Sequence, residues 1–388
     1  MNKIMLVFGT RPEAIKMCPL VNELKKRKNI KTIVCVTGQH REMLNQVLEC
    51  FSVIPDYNFN IMQENQTLFD VLNKIMLNIK NVLEKEKPDI LLVHGDTSTT
   101  FASAVAGYYL KIPIGHIEAG LRTYNIYSPY PEEFNRQATS IVAKYNFAPT
   151  EDAKKNLIAE GKTPNSIYVT GNTVIDALKT TVQENYYHPI LEELKNNKII
   201  ILTVHRRENL GKPMENIFKA VNKITTQNKN VKIIYPVHKN PIIQKQAKEI
   251  LGNNESVRLI EPLDVFEFHN FLNKSYLIMT DSGGIQEEAT ALRKPVLVLR
   301  NTTERNEGVE NGILKLVGTN TEKICKEVNK LLKNKEEYEK MRKNNNIYGD
   351  GYASKRIVDI LEEKGENLWK NYMYFYHAIT KLIISENC

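Results

Sequence analysis

Short apolar runs recur along this chain, each followed by a polar cluster and then by a stretch with helical spacing. In the first half the runs are 4–8 (IMLVF), 32–36, 89–93 and 112–117, with a further strand expected within 141–147 and a short one at 166–169. In the second half they are 198–204 (KIIILTV), 231–237, 257–260, 276–279, 295–299 and 313–317. Apolar strands that alternate with helices are signatures of a parallel sheet covered by helices on both faces. A length of 388 residues favours two or three domains. The pattern pauses over the polar stretch 179–197, which reads as a linker with a short helix. The expected fold class is therefore α/β, with two Rossmann-like domains, 1–178 and 198–352, and a ligand cleft between them.

In an open α/β sheet the ligand crevice lies outside the carboxyl ends of the strands. Asp96 follows the run 89–93 and Glu118 follows 112–117, so both are expected to line such a crevice. The window 116–136 adds Glu132, Glu133, Arg122 and Arg136, and a helix should open near Pro131. Carboxylates that crowd one another repel, which makes a general base and a general acid available. A solvated loop with helix-capping glutamates has the same composition and stays open as the alternative. After the first run, Thr10 and Glu13 fit a capping box, and Arg11 and Lys16 fall on the first turns of its helix. Two cations at a helix N-terminus suit a phosphate, although two solvated cations would fit equally well.

The segment 281–289 reads DSGGIQEEA between an apolar run and a helix. Gly283 and Gly284 permit close backbone approach, and the amides that open the helix after Ser282 face an anion. One turn further in, Glu287 and Glu288 could accept hydrogen bonds from vicinal hydroxyls such as those of a ribose. His205 and His238 end strands of the second half, beside Arg206 and Arg207. That setting suits diphosphate contact, with buried structural histidines as the alternative.

Several classes are disfavoured. Neither GxGxxG nor GxxxxGK[ST] occurs, against a nicotinamide or flavin enzyme and against a nucleoside triphosphatase. Cys18, Cys35, Cys50, Cys325 and Cys388 are scattered without a CxxC, so neither a disulfide framework nor a zinc ribbon is expected. His94 with Asp96 and His116 with Glu118 lack further ligand spacing, and no metal or other cofactor is expected. The formal net charge is +8, but the lysines are spread along helical stretches. A positive crevice for an anionic small molecule is favoured over a nucleic acid partner. No window approaches ~18 uninterrupted apolar residues and no signal-peptide core is seen, so no membrane span is expected and the chain reads as cytoplasmic.

FGTRPEAIK (8–16), TGQHREML (37–44), VHGDTSTT (93–100), HIEAGLRT with SPYPEEFNR (116–136), GN (171–172), HRREN (205–209), DSGGIQEEA (281–289) and TTER (302–305) occur in this order. This set resembles the non-hydrolysing UDP-N-acetylglucosamine 2-epimerases, over about residues 3–360. The resemblance implies a GT-B-like architecture in which 353–388 is a C-terminal helix that crosses back to the first domain. It implies that Asp96, Glu118 and Glu132 are the catalytic carboxylates, with Arg136 nearby. It further implies Ser282, Gly283 and Gly284 at the diphosphate, Glu288 at the ribose and Phe268 near the uracil. Arg11, Lys16, His205 and Arg305 would surround the phosphates and sugar, His205 standing among the catalytic groups as well.

The implied activity is reversible C2 epimerisation to UDP-N-acetylmannosamine for surface polysaccharide synthesis, in a homodimer. A hydrolysing relative and a GT-B glycosyltransferase are the alternatives. Some members bind a second UDP-N-acetylglucosamine, and Gln39, His40 and His238 match residues used there. Glu42 and Asn65 stand where those members carry Gln and a nearby Arg. Asn306 and Gly308 also depart from the Pro and Ala frequent after TTER, and Leu263 replaces a polar residue found near the uracil in some members.

Overall fold

The computed structural model describes residues 3–38, 41–63, 66–343 and 347–364, for 41–43 the backbone only. Gln39, His40 and Asn65, the Glu42 side chain and the tail from 365 lie outside the described residues. The chain divides into two compact units, one formed by Met1–Thr173 with Tyr352–Cys388 and the other by Val174–Gly351.

The first unit holds β1 (Lys3–Phe8), β2 (Lys31–Val36), β3 (Tyr57–Asn58), β4 (Ile90–His94), β5 (Ile114–Ile117), β6 (Tyr145–Ala148) and β7 (Ile167–Val169). They form one sheet in the order β3-β2-β1-β4-β5-β6-β7, with every pairing parallel. Ile4 to Phe8 and Ile90 to Val93 are fully buried, which accounts for their unbroken apolar sequence. The two-residue β3 has no apolar run to announce it. It is docked by Asp56, whose carboxylate accepts from the Val34 amide at 2.8 Å, and by Tyr57, which packs on the core of this unit. The helix that opens at Glu132 runs on to Val142, so the strand expected within 141–147 begins only at Tyr145. Residues 353–364 are helical. Arg356 donates to the Thr170 carbonyl at 3.0 Å, and Arg27 pairs with Asp359 and Glu362 at 2.7 and 2.9 Å.

The second unit holds β8 (Lys198–Thr203), β9 (Val231–Pro236), β10 (Val257–Ile260), β11 (Leu277–Thr280), β12 (Val296–Val298) and β13 (Leu314–Leu316). Their order is β10-β9-β8-β11-β12-β13, again all parallel. The stretch 179–197 packs on this unit, because Leu191 and Leu194 on and beside the short helix Pro189–Glu193 join the core around Phe271 and Ile278.

Strand order decides where loops diverge. In the first sheet, chain progression reverses between β1 and β4, and in the second between β8 and β11. The turns that leave the carboxyl ends of such a pair run to opposite faces and open a crevice. Gly9–Arg11 and Gly95–Thr97 leave one crevice edge, and Val204–Arg206 and Asp281–Gly283 leave the other unit's.

Candidate functional site

Each unit carries its own set of polar groups at these strand ends. In the first, Glu118 directly follows β5 with a φ of 62°. A non-glycine residue in the left-handed region costs about 1–3 kcal/mol and persists only where its surroundings hold it. Here the side chain does so. Glu118 is ion-paired with Lys16, accepts from Asn172 Nδ2 at 3.1 Å and lies 3.4 Å from His94 Nε2. Its side chain is only 9% exposed, so this carboxylate has exchanged most of its water for three fixed partners.

Asp96, on the turn after β4, is ion-paired with Arg136 and keeps a quarter of its side chain exposed. Asn135 Nδ2 donates to the Asp96 carbonyl at 2.9 Å. Arg136 is held in turn by Glu133 at 3.3 Å. Glu133 is fully buried and also accepts from the amides of Thr123 and Tyr124, both at 3.0 Å, which ties down the loop ahead of the helix Glu132–Val142. Glu132 opens that helix, one turn before Arg136 on the same face. Arg11 opens the helix Arg11–Lys25 and is half-buried.

Glu13 joins the two turns of this crevice. One carboxylate oxygen accepts from the amides of Gly9 and Thr10 at 3.0 and 2.8 Å, and the other from the hydroxyls of Thr97 and Thr100 at 2.8 and 3.2 Å. The capping box legible in the sequence is therefore also a tether from the β1 turn to the Asp96 turn. His116, on β5, is fully buried. Burial pushes its imidazole down to about 3, with Arg122 and His94 adding to the effect while the Gly95 carbonyl opposes it. Neutral near pH 7, it donates from Nε2 to Gly95 O at 2.7 Å.

In the second unit the fully buried Asp281 organises the strand ends. Its carboxylate accepts from the amides of His205 and Arg206 at 3.0 and 2.9 Å and from Asn209 Nδ2 at 2.9 Å. His205 stacks on His238 with ring centroids 5.7 Å apart, and its Nδ1 is 3.4 Å from Asp281. Burial lowers the His205 pKa and His238 adds to this, against the pull of Asp281.

Ser282 precedes the helix Gly283–Ala291 without capping it through its side chain, so the first-turn amides are not covered by that hydroxyl. A Cβ on Gly283 would come within 2.7 Å of Glu304 and 3.2 Å of Arg305, whereas one on Gly284 would meet nothing nearer than Glu288 at 3.8 Å. A Cβ on Gly283 would thus press on the Glu304–Arg305 pair, whereas Gly284 leaves the helix start uncovered. Arg305 is 6% exposed and pairs with Glu287 at 2.8 Å and Glu304 at 2.7 Å. Phe268 is half-buried against the core that contains Phe271. Glu288 lies 3.5 Å from His269. Gly308 has a packing reason of its own, since a Cβ there would sit 2.4 Å from the Tyr348 hydroxyl and 2.5 Å from Leu314.

The acidic members of this set depend on their arginines. Burial is the largest influence on Glu304 and pushes its carboxyl up, but Arg305, Arg300 and Arg206 together bring it down to about 2. A carboxylate held below its ordinary 4.5 stabilises the fold above that pH, and the contribution is lost as pH falls toward 2. That difference corresponds to about 3 kcal/mol. Thermal unfolding followed from pH 5 to pH 2 should therefore fall less steeply for Glu304→Gln than for the unmodified protein. Parallel curves would show that the arginine cluster does not act through this carboxylate.

Among the described residues no group of three or more His, Cys, Asp or Glu is arranged to hold a metal ion, and no helix is long and apolar enough to cross a membrane. The sequence reading did not weigh Asn172 and His94 as partners of Glu118, Glu13 as a tether or Glu133 as the support of Arg136. Only the capping-box spacing of Glu13 and the position of His94 at a strand end signalled them.

A family model described as UDP-N-acetylglucosamine 2-epimerase matches residues 22–362. The UDP-N-acetylglucosamine 2-epimerase of Bacillus subtilis (strain 168) is 55% identical over 359 residues, spanning 92% of this chain and 94% of that protein. That of Escherichia coli (strain K12) is 48% identical over 373 residues, with 93% and 98% covered. The crystal structure of UDP-GlcNAc 2-epimerase from Neisseria meningitidis bound to UDP-GlcNAc superposes with a TM-score of 0.88 at 47% identity, covering 93% of this chain and all of that one. The ordered motifs, the paired parallel α/β units and a family match over most of the length lead to one conclusion: the chain belongs to the UDP-N-acetylglucosamine 2-epimerase family.

Proposed function

We propose that this protein interconverts UDP-N-acetylglucosamine and UDP-N-acetylmannosamine without net hydrolysis. The second unit supplies the UDP site and the first supplies the acid/base groups. The observation that carries the reading is the pair of carboxylates at adjacent strand ends, Glu118 held by Lys16 and Asp96 held by Arg136, in a chain of this family.

The chemistry accounts for these residue types. The C2 hydrogen of the sugar is barely acidic, so its removal requires a positioned base together with departure of UDP from C1. Loss of the proton and cleavage of the C1–O bond leave 2-acetamidoglucal and UDP. Re-addition of UDP at C1 with a proton delivered to the opposite face of C2 inverts the centre, and no atom is gained or lost. Inversion at C2 places the groups that take and return the proton on two faces, which three carboxylates, Asp96, Glu118 and Glu132, can serve. The departing diphosphate gains charge, and bare helix amides after Ser282 with His205 and Arg305 nearby in the sequence pattern of the second unit are the kind of donors that stabilise it. Glu288 is assigned to the ribose and Phe268 to the uracil side.

Incubation with UDP-N-acetylglucosamine in D2O, without any acceptor, tests this. The expected result is one deuterium at C2 in a mixture of the two UDP-sugars, with free UDP remaining far below product. Stoichiometric UDP and free N-acetylmannosamine would make the protein a hydrolysing enzyme. Substrate recovered without deuterium would remove epimerisation altogether.

A further inference from the structure

We propose that His269 is a positioning residue that sets the Glu288 carboxylate for a ribose-bearing ligand, an inference that rests on the uridine-nucleotide reading above. His269 lies on the helix Val265–Lys274 and is 1% exposed. Its Nδ1 is 2.6 Å from Thr181 Oγ1, and its Nε2 is 3.5 Å from Glu288 Oε2.

The Thr181 hydroxyl, 3.0 Å from the Ala177 carbonyl, is itself held on its own helix. The imidazole therefore meets a placed group at each nitrogen, the Thr181 hydroxyl at Nδ1 and a Glu288 carboxylate oxygen at Nε2, and bridges the two.

The helix that carries the ring is itself held in place. Asn270, the next residue, donates to the carbonyls of Thr181 and Phe266, both at 2.8 Å, and accepts from the Gln183 amide at 2.9 Å. The helix that bears His269 and the segment 181–183 thus form one frame. At the other end of Glu288, Oε1 lies toward the first turn of the helix Gly283–Ala291, 3.8 Å from where a Gly284 Cβ would stand. One oxygen faces the imidazole at 3.5 Å and the other lies on the side of the first helical turn. A side chain with three rotatable bonds gains a defined rotamer in this way, and accepting from vicinal hydroxyls requires that definition.

Calorimetric binding of UDP, 2′-deoxy-UDP and 3′-deoxy-UDP to the full-length protein tests the proposal, using Glu288→Gln, His269→Asn and His269→Gln. Asn places an amide near the Nδ1 position and reaches Thr181 only, whereas Gln can place one near Nε2 and reach Glu288. The unmodified protein should bind UDP about tenfold more tightly than at least one deoxy nucleotide, the scale of a hydrogen bond to a charged acceptor. His269→Asn should lose that preference while binding the deoxy nucleotide as before, and His269→Gln should retain most of it.

A preference that survives in His269→Asn but falls in Glu288→Gln overturns the role of His269 and leaves the assigned function intact. Equal weakening toward all three nucleotides in both His269 variants marks a merely structural residue and also overturns it. If the unmodified protein itself does not distinguish UDP from either deoxy form, the ribose assignment of Glu288 is wrong, and the inference falls with it.

Discussion

Glu118→Gln should slow the entry of solvent deuterium at C2 by about 10²–10⁴-fold, the usual contribution of a positioned acid or base. The substitution keeps the size and one oxygen of the side chain, so Asn172 retains an acceptor. What it removes is the charge that pairs with Lys16 and the capacity to carry a proton. UDP affinity is assigned to the second unit and should change little. Rapid quench into D2O-based mass spectrometry, alongside calorimetry with UDP, reads both quantities from one preparation. A variant that exchanges the C2 hydrogen at the normal rate would eliminate Glu118 from the chemistry. A variant that loses UDP binding as well would point to collapse of the site. The strained backbone at this residue gives a further check. Because φ is 62° there and the side chain makes the holding contacts, Glu118→Ala should disturb the loop more than Glu118→Gln does.

Asp281→Ala should lower stability by about 3–5 kcal/mol, the range for removing one partner from a buried, charged hydrogen-bond cluster. The carboxylate is fully buried and receives two backbone amides and the Asn209 side chain, so its removal leaves the His205 and Arg206 amides without this acceptor. Water cannot reach a site with no exposed area without the loop opening. Asp281→Asn, which keeps one oxygen, should cost less. Chemical denaturation measures the difference, and the slope of the transition shows whether unfolding remains cooperative. If both variants unfold at the midpoint of the unmodified protein, Asp281 does not hold the His205–Arg206 turn. Since that turn presents His205, activity should fall in step with the stability lost.

Most of the fold was legible along the chain, and the reason lies in burial. Strands covered on both faces need unbroken apolar sequence, so 4–8, 89–93 and 198–204 announce themselves, and the residues that follow must sit at a sheet edge. Where burial did not dictate the residues, the sequence was silent. The two-residue β3 has no apolar run of its own and is held by the Asp56 carboxylate together with Tyr57, which packs on the core. The polar stretch 179–197 contributes Leu191 and Leu194 to a core, though its overall composition reads as linker.

The candidate site divides in the same way. Asp96, Glu118, His205 and the Ser282–Gly284 turn could be named from position alone, because in parallel sheets a polar residue after a strand is already at the crevice edge. Their partners could not. Lys16 and Glu118 are 102 residues apart, Asn172 and Glu118 are 54 apart, and His269 and Thr181 are 88 apart. No local rule of propensity or periodicity reaches across such separations. They meet because strand order places β4 between β1 and β5, and because helices pack where side-chain shape allows. The amino-acid sequence thus determined which chemical groups the chain presents and at which strand ends. Tertiary structure alone decided which cation neutralises which carboxylate, since ionic and hydrogen-bond partners are selected by distance in space, and distance is settled only when the sheets assemble.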